Sequence, residues 1–452
     1  MADTQKKQRE QLTEIFAAAL AAVAPDAAVR RHVRLADGGK SLEAAGRSWD
    51  LTHGRVRVVG AGKGAAPMAQ ALEKLLGAHI AEGFVVVKYG HHLPLAHITI
   101  DQAAHPVPDA AGVSAAAHIL DIARDCTLGD LLICLLTGGA SALTPAPAPG
   151  LSLADLQETT SLLLQCGATI QEVNAVRKHL SLLGGGQLAA AANGADVLAI
   201  IVSDVVGDAL DVIASGPTSP DPSTFAECLE ILERFQILSR VPQRARERLE
   251  AGAAGSIPET PKPGDPLFEH VCNVLAATNR QALEAAAAKA EALGLEARIL
   301  TDSLTGEARE VAAGLVAEAR RAAASLKPGD RGVCLLAGGE TTVTLTGAGL
   351  GGRNQEMALA AALELEGSHG ISGIFAGTDG TDGPTDAAGG FADGESVARM
   401  GGREAALAFL QKNDSNAALL AGGDLLITGP TRTNVMDLAA LLVEAPCAGA
   451  SA

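Results

Sequence analysis

The sequence predicts an α/β protein of two domains, the second with a mixed sheet, and three observations predict it. Alanine-rich helical patterns alternate with short β-branched runs, the pattern of parallel α/β layers. The 452 residues suffice for two or three domains with full cores. Between 251 and 268, Pro258, Pro261, Pro263 and Pro266 stand among Gly252, Gly255 and Gly264. Such a stretch reads as a connection rather than a helix. The expected division is therefore a larger domain at 1–250, a Pro/Gly-rich connection at 251–268 and a smaller α/β domain at 269–452.

The elements follow in order from the same patterns. The apolar, β-branched runs Val56–Val59, Phe84–Val87, Leu131–Leu136, Val197–Val202 and Val271–Ala277 predict strands, as do Arg298–Leu300, Val333–Ala337, Thr341–Thr346, Ile371–Ala376 and Leu425–Thr428. Helices are expected at Lys6–Val23, Ala65–Leu76, Ala110–Arg124, Leu153–Cys166, Glu284–Leu293, Glu307–Ala324, Asn354–Glu366 and Arg403–Gln411. His105–Asp109 predicts a rigid turn in which Asp109 caps the helix that follows. The short Gly-Gly-Glu turn between Val333–Ala337 and Thr341–Thr346 predicts an antiparallel hairpin, hence the mixed sheet. The tail 446–452 is expected to be disordered.

Composition excludes several function classes. Aromatics make up only 2% of the chain, so bases would find little to stack on. Lys+Arg 35 against Asp+Glu 52 gives a net charge of −17, which disfavours nucleic acid and anionic membrane as partners. The first fourteen residues are polar and hold no signal core. No apolar run approaches the about 20 residues of a membrane span. Seven cysteines without a Cys-x-x-Cys, mostly in apolar runs, read as reduced core residues of a cytoplasmic protein.

The chemistry concentrates at five strand ends. The most informative is Gly377–Gly390, where Asp379, Asp382 and Asp386 stand among glycines after the apolar run Ile371–Ala376. Clustered carboxylates are costly without a cation, so the loop points to metal-assisted chemistry. Of the three, Asp379 is nearest the strand end, Asp382 is a candidate metal partner and Asp386 a cap for the next segment. Ser203–Asp208 and Asp211 bring further carboxylates, and Asp204 holds the strand-end position typical of catalytic acids. Capping by Asp208 and a turn at Asp221 are the plainer readings there. Gly60-Ala61-Gly62-Lys63-Gly64 is neither a Walker A motif nor a full dinucleotide fingerprint, since position 65 is Ala. It leaves a lysine at a strand-to-helix turn, where an anion is favoured; a tight turn with a solvated lysine is the alternative. Thr137-Gly138-Gly139-Ala140-Ser141 could cradle phosphate on backbone amides or simply turn and cap a helix. The fifth strand end is Gly338-Gly339-Glu340-Thr341.

Two basic patches accompany these loops. Arg353 opens a helix after Gly351-Gly352, where a guanidinium can take a carboxylate or phosphate in bidentate fashion. Arg177-Lys178-His179 offers cations too, although a solvated helix face is the commoner outcome for a basic pair. Glycine loops, strand-end aspartates and isolated cations together describe phosphoryl transfer. No Gly-x-Ser-x-Gly nucleophile elbow is present.

In order along the chain, Gly60–Ala66, His105–Asp109, Thr137–Leu143, Asn174–Gly186, Ser203–Phe225, Gly338–Glu356, Gly377–Gly389 and Gly429–Leu438 resemble the motifs of the class II glycerate 2-kinases, the family with a C-terminal MOFRL domain. The resemblance implies a larger Rossmann-like domain with a mostly parallel sheet and a smaller MOFRL domain at about 331–440, with the active site in the interdomain cleft. It implies ATP-dependent phosphorylation of D-glycerate with a divalent cation, usually Mg²⁺. Lys63 and Arg353 match the family's active-site lysine and arginine, and Asp204 and Asp379 match its motif aspartates. On that resemblance, Lys63, Arg353 and Asp204 are the expected catalytic residues, with Asp204 as proton acceptor. Substrate is expected at Lys63, Arg353 and Arg177, nucleotide at Gly60, Gly62, Gly138, Gly139, Ser141 and Glu340, and metal at Asp204, Asp208 and Asp379. Two departures stand out. Ala140 replaces a family glycine, which narrows the positive-φ options of that loop, and Val206 stands where proline is frequent. The alternative function is a nicotinamide-dependent reductase of hydroxypyruvate or tartronate semialdehyde. The oligomeric state is left open, a homodimer being one option.

Overall fold

A computed structural model describes residues 2–446, with side chains from residue 5 onward. The expected disordered tail beyond 446, with Cys447, lies outside the described residues. The chain forms two compact units. The first comprises Pro25–Ser203 and Asp208–Ala276; the second gathers the segment up to Ala24, Asp204–Gly207 and the chain from Ala277 onward.

The first unit carries a small antiparallel sheet of β1 (Val33–Ala36), β2 (Ser41–Ala44) and β3 (Arg47–Asp50). Its main sheet has β4 (Val56–Ala61), β5 (Ile80–Lys88), β6 (Thr99–Ala103), β7 (Leu131–Leu136), β8 (Asp196–Val202) and β9 (Val271–Ala277), in the order β6-β5-β4-β7-β8-β9. The pairings from β6 through β8 are all parallel. Strands β4 and β7 are buried along their whole length, as a sheet covered on both faces requires. The order runs outward from β4 in one direction and from β7 in the other. The topological switch point therefore lies between β4 and β7, where open α/β sheets bind ligand.

The second unit has β10 (Glu296–Leu304), β11 (Val333–Gly339), β12 (Ile371–Gly377), β13 (Gly389–Asp393), β14 (Leu425–Leu426) and β15 (Asp437–Val443), ordered β10-β11-β15-β12-β13-β14. Only β10 and β11 pair in parallel; the rest is antiparallel. The mixed sheet is as expected, but its origin is not the expected hairpin. Residues 341–346 form no strand, and β15 occupies the place beside β11. The segment is satisfied by neighbouring loops instead of a strand: the Thr342 N–H donates to Gly306 O at 2.8 Å, the Thr344 N–H to the Glu307 carboxylate at 3.0 Å, and the Thr346 and Gly347 N–H groups to Asn413 Oδ1 at 2.8 and 2.9 Å.

The packing also moves two expected boundaries. The helix Ala2–Ala22 buries Leu12, Ile15, Phe16 and Ala19 and packs on β12, β15 and the helix Asn279–Ala292, all in the second unit. The 251–268 stretch is docked on the first unit: the Asp221 N–H donates to Pro261 O at 2.9 Å, and Thr260 Oγ1 donates to Asp221 at 3.0 Å. Asp109 caps the helix Ala110–Arg124 as expected, accepting from the Gly112 N–H at 3.0 Å. Among the described residues, no single helix is long and apolar enough to cross a membrane.

Candidate active site

At the switch point two loops lock together. The Lys63 N–H donates to Gly138 O at 3.0 Å, and the Gly64 N–H donates to Thr137 Oγ1 at 3.0 Å. Lys63 thus stands at the N-terminal approach to the helix Ala65–Leu76, pinned to the loop after β7. Its carbonyl also meets His91 Nδ1 at 3.2 Å. The glycines serve this contact. A Cβ on Gly62, whose φ is +131°, would lie 2.1 Å from Thr137 Oγ1; one on Gly60 would lie 2.7 Å from Leu135 O inside the sheet. Gly139, at φ +86°, leaves no room for a Cβ because the His105 imidazole lies within 2.9 Å. So His105, read from sequence as part of a turn, also roofs the Gly138–Gly139 loop. Ala140 opens the short helix Ala140–Leu143, so it needs no positive φ; Gly139 alone supplies it.

Ser141 Oγ lies 3.0 Å from Ser215 Oγ, which ties this loop to the segment after β8. That segment is strained. Asp208, Ala214 and Ser215 have φ of +53°, +54° and +61°, a conformation that costs of order 1–3 kcal/mol at each non-glycine residue. Asp208 Oδ1 is buried without a hydrogen-bond partner. Strain and an orphaned carboxylate oxygen thus occur together in this one loop.

The basic patch of the first unit is not a solvated face. It lies on the helix Ile170–Leu180, where Lys178 is buried and pairs with Asp211 and Asp221, each at 3.4 Å. His179 Nε2 lies 3.0 Å from Glu259 Oε2. Arg177 is half-buried, and desolvation lowers its pKa. Asp221 makes the expected turn, accepting the Ser223 N–H at 3.1 Å.

The second unit builds a guanidinium site. Strand β15 runs antiparallel between β11 and β12, so Asp437 pairs in register with both Gly339 and Gly377. This brings the Gly338–Glu340 and Gly377–Asp382 loops to one end of the sheet. Arg353 starts the helix Arg353–Leu365 at that end. Its Nε and Nη2 donate to Asp437 Oδ2 and Oδ1 at 2.5 and 3.1 Å, and its Nη1 donates to Glu340. Burial pushes the Asp437 carboxyl up to about 6 despite the arginine. Burial alone would lower the Arg353 pKa, but the two carboxylates raise it further above its ordinary value. Asp437, which holds Arg353, does not stand out among the motif residues, although it lies next to the end of the Gly429–Leu438 motif.

The three aspartates of the Gly377–Gly390 loop divide. Asp382 accepts the Asn354 and Gln355 N–H groups at 3.1 and 2.8 Å, so it anchors the helix that carries Arg353; burial raises its pKa against these bonds. Asp379 is half-buried and accepts from the Thr381 N–H and Oγ1, both at 3.1 Å. Asp386 is exposed, and Thr385 rather than Asp386 accepts the Ala387 N–H, at 3.3 Å. Asp204 accepts from Asn434 Nδ2 at 3.4 Å. Among the described residues, no three His, Cys, Asp or Glu side chains gather in metal-binding geometry.

A parallel sheet with a lysine and a glycine loop at its switch point, together with a sheet end that presents a guanidinium held by two carboxylates, fits an α/β enzyme of the phosphotransferase class. Comparison with known proteins narrows the class. Residues 11–250 match the family model described as a domain of unknown function, DUF4147, and residues 333–437 match the MOFRL family. A glycerate 2-kinase of Pyrococcus horikoshii is 39% identical across 94% of this chain and 95% of its own. A crystal structure of glycerate kinase from Thermotoga maritima superposes with a TM-score of 0.85 at 39% identity, covering 97% of this chain and 100% of that one. A protein of Agrobacterium vitis, 40% identical across 96% of this chain and 94% of its own, carries the name putative hydroxypyruvate reductase. The chain belongs to the MOFRL-containing glycerate 2-kinase family.

Proposed function

We propose that this chain transfers the γ-phosphoryl group of ATP to the 2-hydroxyl of D-glycerate, giving 2-phosphoglycerate and ADP. The observation that carries the reading is Lys63, whose N–H is held on Gly138 O at 3.0 Å at the switch point of a parallel sheet. There a lysine with an anchored backbone stands at the approach to a helix N-terminus and beside the Gly138–Ser141 loop, a setting suited to phosphate oxygens. In this reading the Gly138–Ser141 loop takes nucleotide phosphates and Lys63 neutralises charge developing on the transferred group. Arg353 and Arg177 are assigned to substrate, with the glycerate carboxylate on Arg353. Asp204 is assigned to accept the proton of the 2-hydroxyl.

Mg²⁺ is the divalent cation assigned to the reaction, since it is commonly bound through one or two carboxylates together with substrate phosphates. Asp204, Asp208 or Asp379 would hold it, Asp208 offering a buried oxygen without a hydrogen-bond partner. The ion supplies charge neutralisation on the phosphates. The cysteines among the described residues are unbridged and five of the six are buried, which suits the cytoplasm.

The reductase name of the Agrobacterium vitis relative motivates a second reading. It fares worse because the Gly60 and Gly62 positions are filled by Leu135 and Thr137 rather than left for a pyrophosphate. A coupled ADP-release assay with D-glycerate, L-glycerate and hydroxypyruvate, with phosphorus NMR of the product, tests the proposal. ADP release with D-glycerate and a 2-phosphoglycerate signal are expected. NADH oxidation by hydroxypyruvate without ATP or metal would replace it with the reductase.

A further inference from the structure

Two carboxylates hold Arg353, and they are not equivalent. Asp437 is 4% exposed and immobilised. It sits in the β-ladder between β11 and β12, and Asn279 Nδ2 donates to its backbone carbonyl at 2.9 Å. Asn279 in turn fills the space over Gly338, where a Cβ would lie 1.9 Å from Asn279 Oδ1. Asp437 grips the Nε–Nη2 edge of the guanidinium with both oxygens. Glu340 lies on the loop after β11, its side chain 44% exposed, and takes only Nη1.

An exposed carboxylate on one arginine nitrogen is weakly held and readily displaced, whereas a buried bidentate pair is not. The Nη1 edge is the part of Arg353 that a bound carboxylate can reach without dismantling the sheet end. We propose that Asp437 is the positioning residue that aims Arg353, and that Glu340 is an internal stand-in for the substrate carboxylate, occupying Nη1 until glycerate displaces it. This rests on the reading that Arg353 receives that carboxylate. Glu340 then has two effects. It keeps the guanidinium paired when substrate is absent, and it weakens every ligand that binds there by competing with it. Its position in the Gly-Gly-Glu turn therefore tunes affinity for the acid rather than nucleotide binding.

The experiment is calorimetric titration of the full-length protein with D-glycerate, with glycerol as the analogue lacking a carboxylate, and with ADP. Glu340→Gln is expected to tighten D-glycerate about three- to fivefold, the range of an exposed ion pair, without tightening glycerol. Asp437→Asn is expected to weaken D-glycerate about tenfold or more, by freeing Arg353, while the ADP affinity moves less than about twofold. A misfolded variant would lose both ligands together, so the ratio of the two affinities separates positioning from collapse. Unchanged or weaker D-glycerate binding by Glu340→Gln overturns the exchange, and parallel loss of ADP and D-glycerate in Asp437→Asn overturns the positioning role. A wild-type protein that binds no D-glycerate at all overturns the proposed reaction along with this inference; wild-type binding with an unresponsive Glu340→Gln overturns the exchange alone.

Discussion

Lys178 Nζ lies 3.4 Å from Asp221 Oδ1, and both side chains are buried. The pair joins the helix Ile170–Leu180 to the segment after β8, and Thr260 Oγ1 adds the 251–268 stretch through its 3.0 Å bond to Asp221. The same lysine reaches Asp211, whose backbone leaves no space for a Cβ on Gly216. The ion pair thus ties the helix to the same chain segment that carries the strained residues Ala214 and Ser215.

Breaking that pair on one side should be more damaging than removing it whole. Lys178→Met or Asp221→Asn alone leaves a buried group uncompensated, an expected loss of about 3–5 kcal/mol. The double variant should lose less than the sum of the two singles. Urea unfolding of the three proteins measures this, and additive losses would show that the residues do not interact.

Acid should act on the same contact. Burial opposes the Asp221 carboxylate, but its hydrogen bonds to Ser223 and the charges of Lys178 and His179 hold its pKa below the ordinary 3.8. Asp393 is likewise held down, against burial, by Arg399. With folded values below unfolded ones, these groups stabilise the protein fully above about pH 4. The contribution is lost as pH falls through the folded values, because the unfolded chain then binds more protons. Urea midpoints should fall steeply below pH 4, and Asp393→Asn should flatten that fall.

Activity should have its own acid limb. Asp437 must be ionised to hold Arg353, and burial places its titration at about 6. The groups that face it are Arg353 and Asn354 on the helix, Asp382 on the loop after β12, and Glu340, which shares the guanidinium. The D-glycerate kcat/KM should therefore fall as pH drops through about 6, and Asp437→Asn should abolish that inflection while lowering the plateau. Persistence of the limb in Asp437→Asn would assign it to Asp382, whose carboxyl is also raised by burial.

The interlocked loops give a prediction about glycine. Gly62→Ala forces a Cβ to within 2.1 Å of Thr137 Oγ1 at a φ of +131°. It should detach the Lys63 loop from the loop after β7 and lower kcat by about 100-fold or more. Ala140→Gly should not improve the protein, although glycine is the family residue. Ala140 is helical, so the change should cost about 0.5–1 kcal/mol. Thermal unfolding checks the second statement and steady-state kinetics the first.

Much of this arrangement is legible in the sequence, for identifiable reasons. The buried strands β7 and β11 are continuous apolar runs, β8 is one after Asp196 and β4 is one apart from Arg57, and glycine- or aspartate-bearing loops mark their ends. Some helices are short or polar and carry little apolar periodicity. Ile170–Leu180 and Phe225–Arg234 nevertheless carry capping boxes, Thr169 with Glu172 and Thr224 with Glu227, which announce both starts. β13 was hidden by its paired glycines Gly389 and Gly390. Lys63 and Arg353 stand out because each follows glycines at an element boundary. Asp437 does not, because a single acid before an apolar run resembles any strand start. Its meaning comes from a partner 84 residues away, which only the β11–β15–β12 register brings near.

Lys63 provides the most direct test of the proposed chemistry. Its backbone is fixed on both sides, through its N–H to Gly138 O and its carbonyl to His91 Nδ1, so truncating the side chain leaves the loop anchored. Lys63→Ala should therefore remain folded by circular dichroism. Phosphoryl transfer relies on charges placed where the transition state develops them, so loss of this cation should lower kcat by about a thousandfold or more. Affinity for D-glycerate should fall much less if the carboxylate rests on Arg353. Lys63→Arg, which keeps the charge but changes its reach and shape, should recover only part of the rate. Turnover within tenfold of wild type in Lys63→Ala would remove the lysine from the mechanism and leave the switch-point loop as a scaffold only.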